Sequence, residues 1–378
     1  MKAAASVALT AALTAFCYLL LRAESQAAIA GLIAVAVAFG VVVAKTHWLS
    51  PLTRAAAAHE RLSHGLSLAA VAVLALLLRE DDFALFLIVR VVIAIVACLG
   101  LNVQFGYAGV VNFAGASFFG VGGYTAAVLS RSTGIPHLVA ILIGGAAAAL
   151  LGSVLLLPVL RTRGHYAALV TIAFALLFRT FLEVNDTLGG PQGLKLRELK
   201  IGPIGFNDGI EIGSFSGSFY LRYLALALVL LALVFIAVQR LERSWIGVTL
   251  DAVRLDETAA ATFGVDIARW KIAAFTLGNF IAGLAGALSA FVVGFIAPNN
   301  YTFSESLILV SILLLGGIGN PWGISLAAGI VLLLPEKLQV IQEYRFLLFA
   351  MMVILILLFR PEGLLPRPLR RLRGSAAK

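Results

Sequence analysis

The sequence is poor in charge and poorer still in the residues that usually carry chemistry. Only 12% of its 378 residues are Asp, Glu, Lys or Arg, against 61% hydrophobic, and mean hydropathy is +1.02. A water-soluble domain carries about a quarter charged residues. A chain this short of charge cannot cover a surface in water, and a bilayer is the solvent that fits. The two cysteines, Cys17 and Cys98, both lie inside apolar runs, which excludes a disulfide framework and a thiolate metal cluster. His47, His59 and His64 share one polar stretch, but their spacings do not set a zinc pair on one helical face. His137 and His165 sit at the ends of apolar runs, as interfacial residues do. No metal site is expected. There is no glycine-rich loop ending in Gly-Lys-Ser/Thr, hence no nucleotide-binding P-loop. The run Gly316–Gly323 has no strand before it and reads as a tight turn with close helix approach, not as a dinucleotide fingerprint. No series of Asp, Glu and His passes through the apolar runs as a proton relay would. No cluster of His, Asp or Ser at one depth suggests an enzyme.

What is present is a succession of apolar runs, at about 4–21, 27–44, 66–78, 83–104, 113–130, 137–158, 165–182, 218–238, 271–296, 304–319, 322–334 and 344–360. Backbone amides in lipid must be satisfied within the segment, and the alternation of a membrane barrel is missing, so the runs read as helices. The expected fold is an all-α polytopic membrane bundle of roughly 10–12 spans. The short runs at 66–78 and 322–334 are candidates for re-entrant or broken helices. Lys2 and the run to Leu21 resemble a signal peptide, but Arg22 and Glu24 stand where small residues should mark cleavage. A retained first span is the expectation. Bulky Phe16 speaks against a lipoprotein signal at Cys17.

Net charge is +9 and the isoelectric point about 9.8. The basic residues lie between and after the runs, which argues against nucleic acid and for positively charged inner loops. Lys45, Arg54 and Arg61 mark one such loop, Arg161 and Arg163 another, and Arg240 to Lys271 a third. Arg360, Arg367, Arg370, Arg371 and Arg373 mark the end. With these on one side, the intervening helices come in even numbers and both termini lie in the cytoplasm. Three regions follow: extra spans and a loop over 1–65, a transmembrane domain over 66–366 with a polar insertion at about 240–270, and a basic tail over 367–378. The stretch 183–217 is too polar to span and reads as the longest outer loop.

Polar groups inside the runs cost free energy unless paired or wet. Asn102, Gln104, Tyr107 and Asn112 cluster around Gly106 and Gly109, and Tyr124 follows after more glycines. Such an interrupted helix can expose backbone groups to a solute at membrane depth, or can be a packed junction of amides. The pattern admits both. Arg90, deep in its run, can attract a carboxylate or snorkel outward past Phe86, and snorkelling or a structural partner is the plainer reading. Arg179, Glu183, Asn279 and Glu305 are singly placed or near helix ends and read as structural. Gly283-Leu-Ala-Gly286-Ala lets helix backbones approach closely.

In the insertion, residues 256–263 favour a short helix that Gly264 stops. Composition alone makes an ordinary loop the plainer reading. With neither relay nor P-loop, however, a transporter must take its energy from a partner, and 256–264 is the obvious contact.

Taken together, several segments resemble the LivM-type permease of branched-chain amino acid ABC importers. They are Leu99-Gly-Leu-Asn102, Gly106-Tyr-Ala-Gly109, Phe118–Tyr124, Arg163–Thr171, Gly189–Leu194, Asp256–Ala260 with Gly264, Ala282–Leu288, Leu315–Gly319 and Phe359–Leu365. The likeness runs in order from about 83 to 366. It implies that Asp256, Glu257, Thr258, Ala259, Ala260 and Gly264 form the ATPase-coupling segment. Thr258 stands where the family has Glu, with Glu257 beside it. It implies a substrate path at Asn102, Gln104, Tyr107, Gly109, Asn112 and Tyr124, although Gly109–Gly115 here resembles the sister permease more than the family's own pattern. By the same resemblance the chain is a non-enzymatic inner-membrane permease with no cofactor of its own. Its implied partners are a second permease, two ATPase subunits carrying ATP and Mg, and a periplasmic binding protein. Leucine, isoleucine and valine are the default cargo; urea, amides and carboxylates are carried by related permeases. The alternative is an ion-coupled secondary transporter acting alone. The spans before residue 45 have no counterpart in this reading.

Overall fold

The computed structural model describes residues 2–23, 60–160, 166–202, 204–212 and 215–337, with scattered positions between 25 and 35 and between 344 and 367. The apolar runs at 27–44 and 344–360 fall largely outside these, as do Lys45, His47, Arg54, His59, Arg161, Arg163, His165, Arg360 and the basic residues after Arg367.

The described chain is helical almost throughout. Its helices are α1 (Lys2–Arg22), α2 (Glu60–Leu77), α3 (Asp82–Asn102), α4 (Gly115–Ser132), α5 (His137–Leu160) and α6 (Tyr166–Val184). After a polar segment come α7 (Tyr220–Arg243), α8 (Trp245–Leu255), α9 (Glu257–Thr262), α10 (Ile267–Val293), α11 (Phe303–Gly316) and α12 (Pro321–Lys337). Among the described residues four helices are long and apolar enough to cross a bilayer: 82–107, 137–160, 220–243 and 267–293. A fifth candidate, 168–184 followed by 186–192, is bent by 88°.

By contacts the chain divides into two compact units. One comprises residues 1–89, 208–228 and 332–345. In it α1 packs on α2, and the end of α1 is tied to the end of α12, where Lys337 Nζ donates to the Leu21 carbonyl. Gln26 Nε2 in turn donates to the Lys337 carbonyl at 3.3 Å. Asp81 caps α3 by accepting from the Ala84 N–H at 3.0 Å. The Phe86 and Tyr220 rings meet at 5.5 Å.

The other unit holds residues 90–207, 229–331 and 346–378, and its centre is the packing of α4, α5 and α10 on one another. The sequence dictates this through small side chains. On α5, Gly144, Gly145, Ala148, Ala149 and Gly152 are buried, whereas Leu142, Leu150, Leu151, Val154 and Leu157 are exposed. In lipid, large apolar side chains gain nothing by turning inward, and helices associate through close backbone contact and dispersion. A methyl group at Gly122 would drive into the Gly283 carbonyl, and one at Gly286 into that of Phe119. The helices can lie this close only because these positions are glycine.

The segment expected as an outer loop is partly ordered by strand pairing. β1 (Leu194–Lys195) pairs antiparallel with β6 (Phe295–Ile296), which follows α10, and β2 (Lys200–Ile201) with β3 (Ile204–Gly205). In the first unit β4 (Ile210–Ile212) pairs with β5 (Phe215–Gly217). Leu194, Leu196 and Leu199 are buried beneath this polar surface.

Candidate functional site

Helix α3 does not end cleanly. It widens into a π-helical turn over Val103–Tyr107, and the chain stays non-helical until Gly115 opens α4. Such turns are rare and recur at functional sites. Here side-chain amides gather around the turn. Gln104 Nε2 donates to Asn279 Oδ1 at 2.9 Å and to the Phe275 carbonyl at 3.3 Å. Asn112 Nδ2 donates to Gln104 Oε1 at 2.7 Å and to Asn279 Oδ1 at 3.3 Å. Asn102 Oδ1 accepts from the Gly319 N–H at 2.8 Å. All four carboxamides are fully buried.

The free N–H groups at the start of α4 are likewise met from several elements. Phe113 donates to Thr171 Oγ1 on α6, Ala114 to Asn112 Oδ1, and Ala116 to Ser306 Oγ on α11. Among the described residues, Asn102 Nδ2, Asn279 Nδ2, Ser117 Oγ and the Tyr124 hydroxyl meet no hydrogen-bond partner. Each such orphan costs on the order of 1–3 kcal/mol. Tyr124 lies against Tyr301, ring to ring at 5.9 Å, and Gly109 adopts φ 68 beside the Arg254 side chain.

The polar insertion forms a compact helical hairpin between α7 and α10. Asp256 separates α8 from α9 and caps the latter, its Oδ1 accepting from the Thr258 and Ala259 N–H groups at 2.9 and 3.0 Å. Gly264 at φ 80 then turns the chain, and Asp266 caps α10. Lys271 Nζ sits 2.6 Å from Glu257 Oε1. Ala260 is buried at the base, while Phe263 is 88% exposed, with Leu255 and Trp245 also bare. The result is a braced knob with an apolar tip. It lies where the sequence places the helix and its glycine stop.

Between the two features stands an ion cluster. Arg367 is only 15% exposed and grips Asp251 of α8 in a two-pronged pair, at 2.6 and 3.0 Å. Its Nε reaches Glu242 of α7 at 3.3 Å. Its guanidinium lies over the Tyr107 ring at 4.9 Å, and the Tyr107 hydroxyl donates to Glu242 Oε2 at 3.4 Å. Burial opposes the charge on Arg367; the hydrogen bonds and charge of Asp251, with Glu242 and Tyr107, outweigh it and hold the pKa above its ordinary value.

The geometry that delivers Arg367 is backbone on backbone. Leu364 and Leu365 N–H groups donate to the Leu315 and Gly316 carbonyls at 2.8 and 3.2 Å, and Asn320 Nδ2 donates to the Leu365 carbonyl at 3.1 Å.

Comparison with known proteins agrees with this architecture. Residues 83–357 match the family model described as the branched-chain amino acid transport system / permease component. The chain belongs to that family. The permease is 34% identical over 302 residues to the high-affinity branched-chain amino acid transport system permease protein LivM of Escherichia coli (strain K12), covering 76% of this chain and 71% of that one. Identity to the protein of the same description from Salmonella typhimurium (strain LT2) is 33% over the same shares. A probable branched-chain amino acid transport permease protein LivM of Methanocaldococcus jannaschii is 24% identical, covering 72% of this chain and 90% of its own. No solved structure matches the permease. The family and the apolar helices make it a multi-pass membrane protein and a permease subunit of an ATP-binding-cassette importer, a transporter by class.

The six residues singled out near the helix break are not all neighbours. Gln104 and Asn112 bond directly, Asn102 turns to Gly319, Tyr107 joins the ion cluster, and Tyr124 stands apart on α4. Asn279, read as a structural residue, is the acceptor at the centre of the amide cluster. Arg367, counted in the sequence among basic tail residues, is packed in the interior of its unit and lies beyond the family match. Asp251 and Glu242 carried no signal at all, because an acidic residue in a polar insertion looks like solvated surface.

Proposed function

We propose that this permease lines the path by which branched-chain amino acids or related small solutes cross the inner membrane. In this reading it works with a second permease of the same general fold, two ATPase subunits and a periplasmic binding protein, and both its termini lie in the cytoplasm. Residues 256–264 are the coupling segment. ATP binding and hydrolysis shift an inward/outward equilibrium, which requires a partner that binds the two states with different affinity. Asn102, Gln104, Tyr107, Gly109, Asn112 and Tyr124 lie along the path, and Asn279 joins them.

The observation that carries the reading is the knob itself: a capped helix between α7 and α10, braced by Asp256 and the Lys271–Glu257 pair, presenting a bare Phe263. A side chain so exposed and so rigidly mounted is suited to fill a pocket on another protein. The buried amides at the helix break support the second half of the reading, since polar groups at membrane depth mark solute paths.

The test is uptake and ATP hydrolysis by the importer assembled in vesicles. Gly264→Pro and Glu257→Lys are expected to leave nucleotide hydrolysis while abolishing its link to uptake. Unchanged uptake in both variants would refute the coupling assignment. Cargo is read separately, by ligand binding to the soluble binding protein.

A further inference from the structure

Arg367 is the point at which the knob hairpin and the broken helix meet. Its guanidinium joins three elements: Asp251, five residues before the cap Asp256; Glu242, at the end of α7; and Tyr107, the last residue of the π-helical turn. Three residues before Tyr107 stands Gln104, the hub that binds Asn112 and Asn279. The stem of Arg367 lies on Gly319, where an added methyl would come within 2.6 Å of its Cδ, and the Gly319 N–H is the donor to Asn102. Thus both ends of the π-helical turn, Asn102 and Tyr107, are held by groups that Arg367 touches. Any displacement of α8 relative to residues 102–107 has to carry this guanidinium along or break its bonds.

The alternative carriers on α8 and α9 are less suited. Arg254 reaches Asp251 only at 3.9 Å and meets the break with its aliphatic stem at Gly109. The Lys271–Glu257 pair ties the knob to α10, whose Phe275 and Asn279 bond Gln104. Neither holds a carboxylate and a residue of the π-helical turn with one charged group. A planar guanidinium can hold a carboxylate in two-pronged fashion and stack on an aromatic ring at once, which an ammonium cannot.

We infer that Arg367 is a positioning residue for transport, passing movement of the 245–264 hairpin to the interrupted helix through Asp251 and Tyr107. The inference rests on the coupling reading given above. It assigns a role to the C-terminal Phe359–Leu365 motif as well: its described residues, pinned to the 315–320 turn, set Arg367 in place.

The experiment uses the complete importer in vesicles, measuring assembled complex, ATP hydrolysis and uptake for Arg367→Gln, Arg367→Lys, Asp251→Asn and the Arg367→Gln/Asp251→Asn double variant. In Arg367→Gln, uptake per ATP hydrolysed falls roughly tenfold or more, with hydrolysis per assembled complex within about twofold of the parent. Arg367→Lys recovers part of the ratio. Asp251→Asn behaves like Arg367→Gln, and the double variant is no worse than either, because residues acting as a unit are not additive. If Arg367→Gln fails to assemble, Asp251→Asn gives the same reading. A purely structural role lowers hydrolysis and uptake in parallel and leaves their ratio unchanged, and that result overturns the inference. If Glu257→Lys lowers the ratio and Arg367→Gln does not, this inference alone fails; if Glu257→Lys leaves the ratio unchanged, the coupling reading fails and takes the inference with it.

Discussion

The side-chain oxygen of Asn102 accepts the backbone N–H of Gly319 across 2.8 Å, joining the last residue of α3 to the turn between α11 and α12. The same turn seats Arg367, and Gly319 itself sits at φ 88, a left-handed conformation that a side chain would strain. A tertiary contact between residues 217 apart in the chain thus holds the end of α3.

Replacing Asn102 by Leu keeps the branching at Cγ and removes the acceptor. The Gly319 N–H is then buried unpaired, at a cost of about 1–3 kcal/mol. The expected outcome is a lowered thermal midpoint of the purified importer together with impaired uptake. A midpoint equal to the parent's would show that water or another group satisfies Gly319.

Close packing of α10 against α4 and α5 predicts an asymmetry between small and large residues. Gly122→Leu or Gly283→Val should separate the helices and leave little protein in the membrane, because the added atoms meet backbone and not a flexible side chain. Leu150→Ala, on the exposed face of α5, should change stability by no more than about 0.5 kcal/mol. Yields in detergent extracts decide it; equal tolerance at Gly122 and Leu150 would contradict the packing.

The cap of α9 makes a graded prediction. Asp256→Ala removes the acceptor for two N–H groups and costs about 1 kcal/mol locally, whereas Asp256→Ser retains a capping oxygen. Uptake per ATP should fall in the alanine variant and be largely restored in the serine one. Equal behaviour of the two would mean that order in the knob is irrelevant to coupling.

Phe263→Cys gives a reading of both docking and sidedness. The position is 88% exposed, so a thiol there should react rapidly with a membrane-impermeant maleimide applied from the cytosolic side and be shielded when the ATPase subunits are bound. Cys98 is buried at 0% exposure and should stay unlabelled in the folded protein. Labelling from the opposite side would reverse the proposed orientation.

Much of the helical plan is legible without coordinates. The apolar runs at 83–104, 137–158 and 271–296 reappear as α3, α5 and α10, and the stop at Gly264 is where local propensity puts it, while Asp256, read as part of the short helix, caps it instead. These signals are local: a helix satisfies its own backbone, and a cap acts within three residues. The candidate site was legible only as a list of polar residues near a break. Gln104 was visible, but Asn279, its partner 175 residues away, looked like one polar residue on an ordinary helix. The strand pairing of Leu194 with Ile296 was not visible either, since two residues carry no periodicity.

The sequence by itself determined that the chain must live in lipid, that it is built of helices, and where most of them begin and end. Those outcomes follow from the cost of exposing apolar surface to water and bare amides to hydrocarbon, both properties of short stretches of chain. Only the tertiary structure decided which buried amide meets which, and that Arg367 leaves the company of the basic tail residues to bind Asp251 and cover Tyr107. Hydrogen bonds and ion pairs act over a few ångströms. Which distant segments come that close is set by the packing of glycine-lined helices, which no local pattern encodes.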